Sequence, residues 1–255
     1  MNAEAALGRI PGFAGARLLA QLSDGPTNAS FLVEREGEKF VLRLDRPETA
    51  TLGLDRVNEK LVSEAVAAAG QGPKYLYFDP QQGICLRPWL TGRSWSVSDL
   101  QEPRNLERLA ILLRRLHSLP AVGKPFDPLA AARRYAVALG TEQAARLADR
   151  TADLIGAGQG GETALCHNDL VCENIFEAED GRLLLIDWEY SGMGDPYFDL
   201  AVVVQHHRLD QTLSRYFLDA WLGRSATPEE RNHLSSQCSF YQCLLKLWDL
   251  RLQVP

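Results

Sequence analysis

Cys166-His167-Asn168-Asp169-Leu170-Val171-Cys172-Glu173-Asn174 ends one short apolar run, Thr163 to Cys166. Thirteen residues beyond Asn174 a second run ends in Leu184-Leu185-Ile186-Asp187-Trp188-Glu189. Both runs are too short for a helix, and both deliver carboxylates or amides at their ends. If the second run is a strand, Asp187 and Glu189 lie two apart and share a face. They could then converge on one or two hard cations. Asp169 and Asn174, five apart, add a separate carboxylate and a neutral amide oxygen.

This set of side chains suits phosphoryl transfer. Mg²⁺ takes oxygen ligands and usually needs only one or two carboxylates beside substrate phosphates. A further carboxylate must orient the attacking hydroxyl. Asp169 suits the base, and Asn174 and Asp187 suit the metal. Each of the three taken alone also reads as a turn or cap residue; all three at this spacing, after two apolar runs, point to chemistry.

Working outward, the first 90 residues read as strands with one helix. Ala16 to Leu22 is a possible strand, and Ser30 to Glu36 and Glu38 to Asp45 form a hairpin joined at Glu36-Gly37. Val57, Leu61, Ala65 and Ala68 repeat at helical spacing up to Gly70. Tyr75 to Phe78 and Gly83 to Arg87 read as two more strands around a turn. From Pro88 the pattern is helical: a stripe of Leu106, Leu109, Leu112, Leu113 and Leu116, a region from Pro128 to Ile155 broken near Gly140, and helices after Pro196. Thr227-Pro228-Glu229-Glu230 carries an N-cap, a first-turn proline and a capping-box glutamate. The expected fold is α+β and bilobal, with a small antiparallel-sheet lobe over 1–88 and a larger, mostly helical lobe over 89–255.

The chain has 255 residues, 45% of them apolar, so it can bury a sizeable core. A net charge of −6 argues against a nucleic-acid partner, which selects basic faces. No run approaches the roughly 20 apolar residues of a membrane span, and Met1 to Ile10 lacks a signal-peptide core. Five cysteines without a Cys-x-x-Cys pair read as reduced, buried thiols and imply the cytoplasm. His206 and His207 read as a solvent-and-core pair, His117 as a packing or cap residue, and Asp195-Pro196 as a helix start.

The pattern His-x-Asp-x-x-x-x-Asn followed by Ile-Asp-x-Glu-Tyr resembles the catalytic and metal loops of choline kinases, thiamine kinases and aminoglycoside phosphotransferases. These share the protein-kinase-like fold. Ile186 to Ala201 is especially similar to the choline and ethanolamine kinase branch. Leu22 to Phe31 resembles the hairpin that covers the phosphates, and Phe40 to Leu44 the third strand. The resemblance spans residues 20 to 250. It implies Asp169 as catalytic base, with Asn174 and Asp187 on Mg²⁺ and Glu189 on a second metal or its water. It further implies that Ser23, Thr27 and Asn28 donate to the phosphates of ATP and that Arg43 binds phosphate. Glu59 would pair with Arg43, with Glu64 the competing candidate. Arg87 to Leu90, including Trp89, would form the hinge beside adenine. His167 would order the loop and Asp199 brace it.

Four positions depart from the family pattern, among them Cys172 and Glu173, which replace a common small or prolyl pair. Asp24 stands where a glycine is common and would repel phosphate unless turned to solvent. Asn168 replaces a frequent glycine. No Gly-x-Gly-x-x-Gly loop stands among the strands of the first 90 residues, and no Asp-Phe-Gly run follows the catalytic loop, so nothing suggests a protein kinase.

The acceptor implied is a small cationic alcohol: choline or ethanolamine first, then thiamine, then an aminoglycoside or another sugar. A non-catalytic nucleotide-binding member of the fold is the reading from a different class. Tyr241 and Trp248 on the final helix are either core or one wall of a cation cage. Trp188 and Tyr190 are expected to face the core. Asp169→Asn is predicted to keep nucleotide binding and lose nearly all turnover, and undiminished turnover in the purified variant would refute the assignment.

Overall fold

Residues 2–47, 53–158 and 163–253 are described by a computed structural model. The hairpin forms where the sequence places it, between β2 (Asn28–Arg35) and β3 (Glu38–Asp45). Arg35 pairs with Glu38, leaving Glu36 and Gly37 as a two-residue turn with φ of 54° and 83°. Positive φ at both central positions is the type I′ geometry, whose twist matches that of the strands. With β1 (Arg17–Asp24), β4 (Tyr77–Asp79) and β5 (Ile84–Pro88) they make an antiparallel sheet of order β1-β2-β3-β5-β4. Val33, Phe40, Leu42, Ile84 and Leu86 pack under the short helix α1 (Ala3–Leu7) as a small core.

Helix α2 (Arg56–Ala68) starts on Asp55, whose side chain accepts from the Val57 and Asn58 amides. Its existence matches the spacing, but its orientation does not. Val57 and Leu61 are 64% and 49% exposed, and Ala68 is exposed too. The buried face is Arg56, Asn58, Glu59, Val62, Ser63 and Val66. The helix turns its polar residues inward because buried charge partners wait there. Val62 and Val66 join the large core of the helical part rather than the core of the sheet. The Asn58 side-chain amide donates to the Ser191 carbonyl at 2.8 Å, and the Leu185 amide to the Gln71 carbonyl at 2.8 Å.

The large core gathers the stripe of Leu106, Leu109, Leu112, Leu113 and Leu116 on α3 (Pro103–His117) against α6 (Pro196–His206), α7 (Gln211–Leu222) and α8 (Pro228–Leu252). Gly140, at φ 62°, ends α4 (Pro128–Leu139) before α5 (Glu142–Gly158). Such left-handed C-caps favour glycine. Thr227 and Glu230 form the expected capping box at the start of α8, and Asp195 caps α6. β6 (Gly92–Ser94), β8 (Ile175–Ala178) and β9 (Leu183–Leu185) pair as one small sheet. β7 (Ala164–Cys166) pairs with β10 (Gly192–Gly194). These short strands carry the two chemical loops. All five thiols are buried and free. Among the described residues no helix is long and apolar enough to cross a membrane.

Leu113 is fully buried in the middle of the large core. Leu113→Ala is expected to cost about 2–5 kcal/mol, the range for a leucine deleted from a packed core, read from the denaturant midpoint of unfolding.

Candidate active site

β7 ends at Cys166 and the chain turns sharply through His167, Asn168 and Asp169. Asn168 has φ 66°. Glycine takes that left-handed conformation without strain, and asparagine is among the few other residues that adopt it readily. Its side-chain amide donates to the Tyr190 carbonyl at 2.9 Å. The fully buried Asp199 carboxylate accepts the His167 and Asn168 amides at 2.9 and 2.7 Å. His117 Nε2 lies 3.0 Å from the same carboxylate. Trp221 Nε1–H donates to His117 Nδ1 at 3.1 Å, so Nε2 is the nitrogen that donates to Asp199. Two aromatic side chains from other helices thus stand behind the loop. The sequence marked His117 only as a packing or cap residue and Trp221 not at all.

His167 Nδ1 accepts the Asp169 amide at 3.3 Å, and Nε2 donates to the Ile186 carbonyl at 3.0 Å. Burial pushes its pKa down, so it holds the loop as a neutral ring. Asn174 sits in a 3₁₀ turn, Cys172–Asn174, and its side-chain amide donates to the Asp169 carbonyl and Oδ2 at 2.8 and 3.0 Å. Burial drives the Asp169 carboxyl up to about 7; Asp187 adds to the rise and the Asn174 bond opposes it.

Asp187 and Glu189 do not share a strand face. β9 stops at Leu185 and Asp187 takes φ 64°. The alternation of a strand therefore ends before the two carboxylates. Trp188 goes fully into the core, with its ring 4.6 Å from that of His167. Asp187 Oδ1 accepts Arg43 Nη1 at 2.9 Å. Glu189 turns the other way, into the interior. It accepts Arg56 Nη1 at 2.9 Å, Thr27 Oγ1 at 2.9 Å and Asn28 Nδ2 at 3.3 Å.

Arg43 also donates to Glu59 at 2.5 Å, which decides between Glu59 and the exposed Glu64. Arg56 bridges Asp45, Glu59 and Glu189 at 2.7, 2.7 and 2.9 Å. Two buried guanidinium groups therefore face four carboxylates: Asp45, Glu59, Asp187 and Glu189. Arg56 escaped the sequence reading, although its place three residues before Glu59 on a helix is an ion-pair spacing.

The tip of the β1–β2 hairpin folds onto this network. Thr27 and Asn28 are buried and engage Glu189, whereas Ser23 sits on exposed β1 opposite Ser30. Asp24 forms an ion pair with Arg46, which also donates to the Gly25 carbonyl at 2.8 Å. A cation that the sequence reading passed over thus offsets the carboxylate that stands where glycine is common. At the expected hinge, the Trp89 amide donates to the Lys39 carbonyl at 2.9 Å and its indole is 40% exposed. Arg87 and Leu90 on either side are half-buried.

The aromatic residues divide. Tyr241 is core: its ring packs on Phe198 and its hydroxyl lies 2.9 Å from His206 Nδ1. Trp248 lies 5.6 Å from the Tyr135 ring and 5.9 Å, edge to face, from the Tyr190 ring. The Tyr190 hydroxyl is buried and meets no hydrogen-bond partner among the described residues. Burial and then Glu189 raise its pKa, with smaller contributions from Tyr135, Asp169 and Asp187. Tyr135 escaped the sequence reading, and Tyr190 was expected in the core.

The sequence pattern of the phosphotransferase enzyme family matches residues 19–234. The chain belongs to this family. The chain is 31% identical over 210 residues to protein LicA of Haemophilus influenzae, covering 78% of each, and it spans 62% of the length of a second LicA at 30% identity. It is 27% identical to ethanolamine kinase 2 of Mus musculus, over 85% of this chain and 64% of that one. The structure of a choline/ethanolamine kinase family protein from Mesorhizobium loti matches with a TM-score of 0.78 at 27% identity, covering 96% of this chain and 83% of that one. Trp248 and Tyr241 lie beyond the matched region, and Asp169, Asn174, Asp187 and the Arg43–Glu59 pair lie within it.

The raised Asp169 pKa has a consequence for stability. Its ordinary value is 3.8 and its folded value about 7. Between the two, the native state binds more protons than the unfolded chain, so this group makes stability fall as pH rises through that window. Asp169→Asn removes the buried charge. The variant is expected to melt higher than wild type at pH 8, with the gap closing towards pH 4; for a chain of this size each kcal/mol is worth about 2–4 °C. Equal melting temperatures at pH 8 would contradict the raised value.

Proposed function

We propose that this phosphotransferase transfers the γ-phosphoryl group of Mg·ATP to the primary hydroxyl of choline or ethanolamine. One observation carries the acceptor: Trp248, Tyr135 and Tyr190 form an aromatic cluster, and the Tyr190 phenol lies in the field of Glu189, Asp169 and Asp187. Aromatic faces within an acidic field suit an organic cation, which they bind by cation–π attraction. The likeness to LicA and to ethanolamine kinase 2 supports the same class.

The donor set fits a divalent cation. Four carboxylates face only two guanidinium groups, and Asp169 stands beside them held near neutrality by burial and Asp187. Asn174 and Asp187 would hold Mg²⁺, which when bound supplies positive charge against that developing on the phosphoryl oxygens. Asn174 already gives its amide N–H₂ to Asp169, so its amide oxygen is the atom left for a cation. Asp169 would accept the hydrogen bond of the acceptor hydroxyl and fix the attacking oxygen. A carboxyl that ionises near neutral pH can also take the proton. Among the described residues the buried Arg43 Nε donor meets no acceptor, which suits Arg43 to the phosphates of ATP together with donors from the Ser23–Asn28 hairpin. The adenine would sit beside Arg87, Trp89 and Leu90.

An ATP-consumption screen over choline, ethanolamine, thiamine and aminoglycosides, with Asp169→Asn as blank, tests this reading. Turnover is expected with choline or ethanolamine. Trp248→Ala is expected to raise the KM of that acceptor about threefold to thirtyfold, the worth of one cation–π contact, and to leave the KM of ATP unchanged. Turnover confined to thiamine or to an aminoglycoside would overturn the acceptor.

A further inference from the structure

We propose that Glu189 and Arg56 form a buried clasp that positions the β1–β2 hairpin for ATP, and that Glu189 serves this clasp rather than a metal ion. The inference deepens the reading of the same site and rests on its being an ATP site.

Both oxygens of Glu189 are occupied. Oε1 accepts Thr27 Oγ1–H at 2.9 Å; Oε2 accepts Arg56 Nη1–H at 2.9 Å and Asn28 Nδ2–H at 3.3 Å. Its side chain is 5% exposed, whereas that of Asp187 is 33% exposed. Mg²⁺ demands near-ideal octahedral oxygen geometry and sheds its water reluctantly. A carboxylate already filled by three protein donors is a poor ligand for it.

The donors come from different parts of the chain, and that gives the clasp its purpose. Thr27 and Asn28 stand at the start of β2, where the hairpin covers the site. Arg56 opens α2 and also holds Asp45 at the end of β3 and Glu59, the partner of Arg43. Helix α2 is itself docked on the helical part through Asn58, Val62 and Val66, and through Gln71 in the turn that follows it. One carboxylate therefore sets the height of the hairpin over the catalytic loop, and one guanidinium ties that height to the Arg43–Glu59 pair. A hairpin held in place before ATP arrives loses less conformational freedom on binding. Thr27 and Asn28 act on ATP by where they hold the hairpin backbone, so Glu189 and Arg56 are positioning residues.

The test is equilibrium binding of ATP, with no acceptor alcohol present, measured once with excess Mg²⁺ and once with EDTA. Glu189→Gln, Thr27→Val and the double variant are compared with wild type. Each single variant is expected to weaken ATP about tenfold in both buffers, the worth of one hydrogen bond to a charged group. The double variant is expected to be no more than about twofold weaker than the weaker single variant, because both changes break one contact. Weakening seen only with Mg²⁺ would make Glu189 a metal ligand and overturn the proposal. So would multiplicative effects in the double variant, or unchanged or tighter binding in the singles. Should Glu189→Gln fail to fold, judged by its melting transition, Thr27→Val carries the two-buffer comparison alone. Since no acceptor is present, failure of the clasp is distinguishable from failure of the choline or ethanolamine reading.

Discussion

Two guanidinium groups, Arg43 and Arg56, lie below one-tenth exposure in the interior. Charge removed from water is tolerated only when opposite charge and hydrogen bonds replace the water, and removing one partner of such a set costs about 3–5 kcal/mol. That requirement draws together Asp45 from the end of β3, Glu59 from α2, and Asp187 and Glu189 from the loop after β9. Sheet, helix and the loop after β9 meet where they do because these charges must. The inverted face of α2 follows from the same constraint: its apolar stripe is left outside so that Arg56, Asn58 and Glu59 can turn in.

A second buried carboxylate orders the loop that carries Asp169. Asp199 takes the amides of His167 and Asn168, which lets the backbone turn left-handed at Asn168 and lifts Asp169 towards Asp187. The His117–Trp221 pair holds Asp199 from behind. Burial and a neighbouring like charge then raise the Asp169 carboxyl to a value where it can exchange a proton at neutral pH. The two carboxylate centres divide the work: one registers the parts of the chain against one another, and the other shapes the reactive turn.

The acceptor side is built differently. Trp248 and Tyr135 come from helices that pack on one another, and Tyr190 comes from the loop that carries Asp187 and Glu189. Tyr190 thus touches the aromatic cluster and lies within the field of the acidic groups. A single loop reaches both the set proposed for the metal and the cluster proposed for the organic cation.

Much of the fold and site was legible in the sequence because it rests on local chemistry. The Glu36-Gly37 turn, the cap at Gly140, the Thr227–Glu230 box and the leucine stripe of α3 each follow from residues within a few positions of one another. The spacing of Asp169, Asn174 and Asp187 belongs with them, since loop length sets it. The tertiary structure alone decided which way α2 faces, that Glu59 rather than Glu64 meets Arg43, and that Arg46 answers Asp24. It also separated Glu189 from Asp187, through a left-handed residue that no strand alternation foresees, and placed Tyr241 in the core while setting Trp248 beside Tyr135 and Tyr190. Each of these depends on partners far away in the chain, and the free energy of pairing buried charge is assigned only once the chain has closed around it.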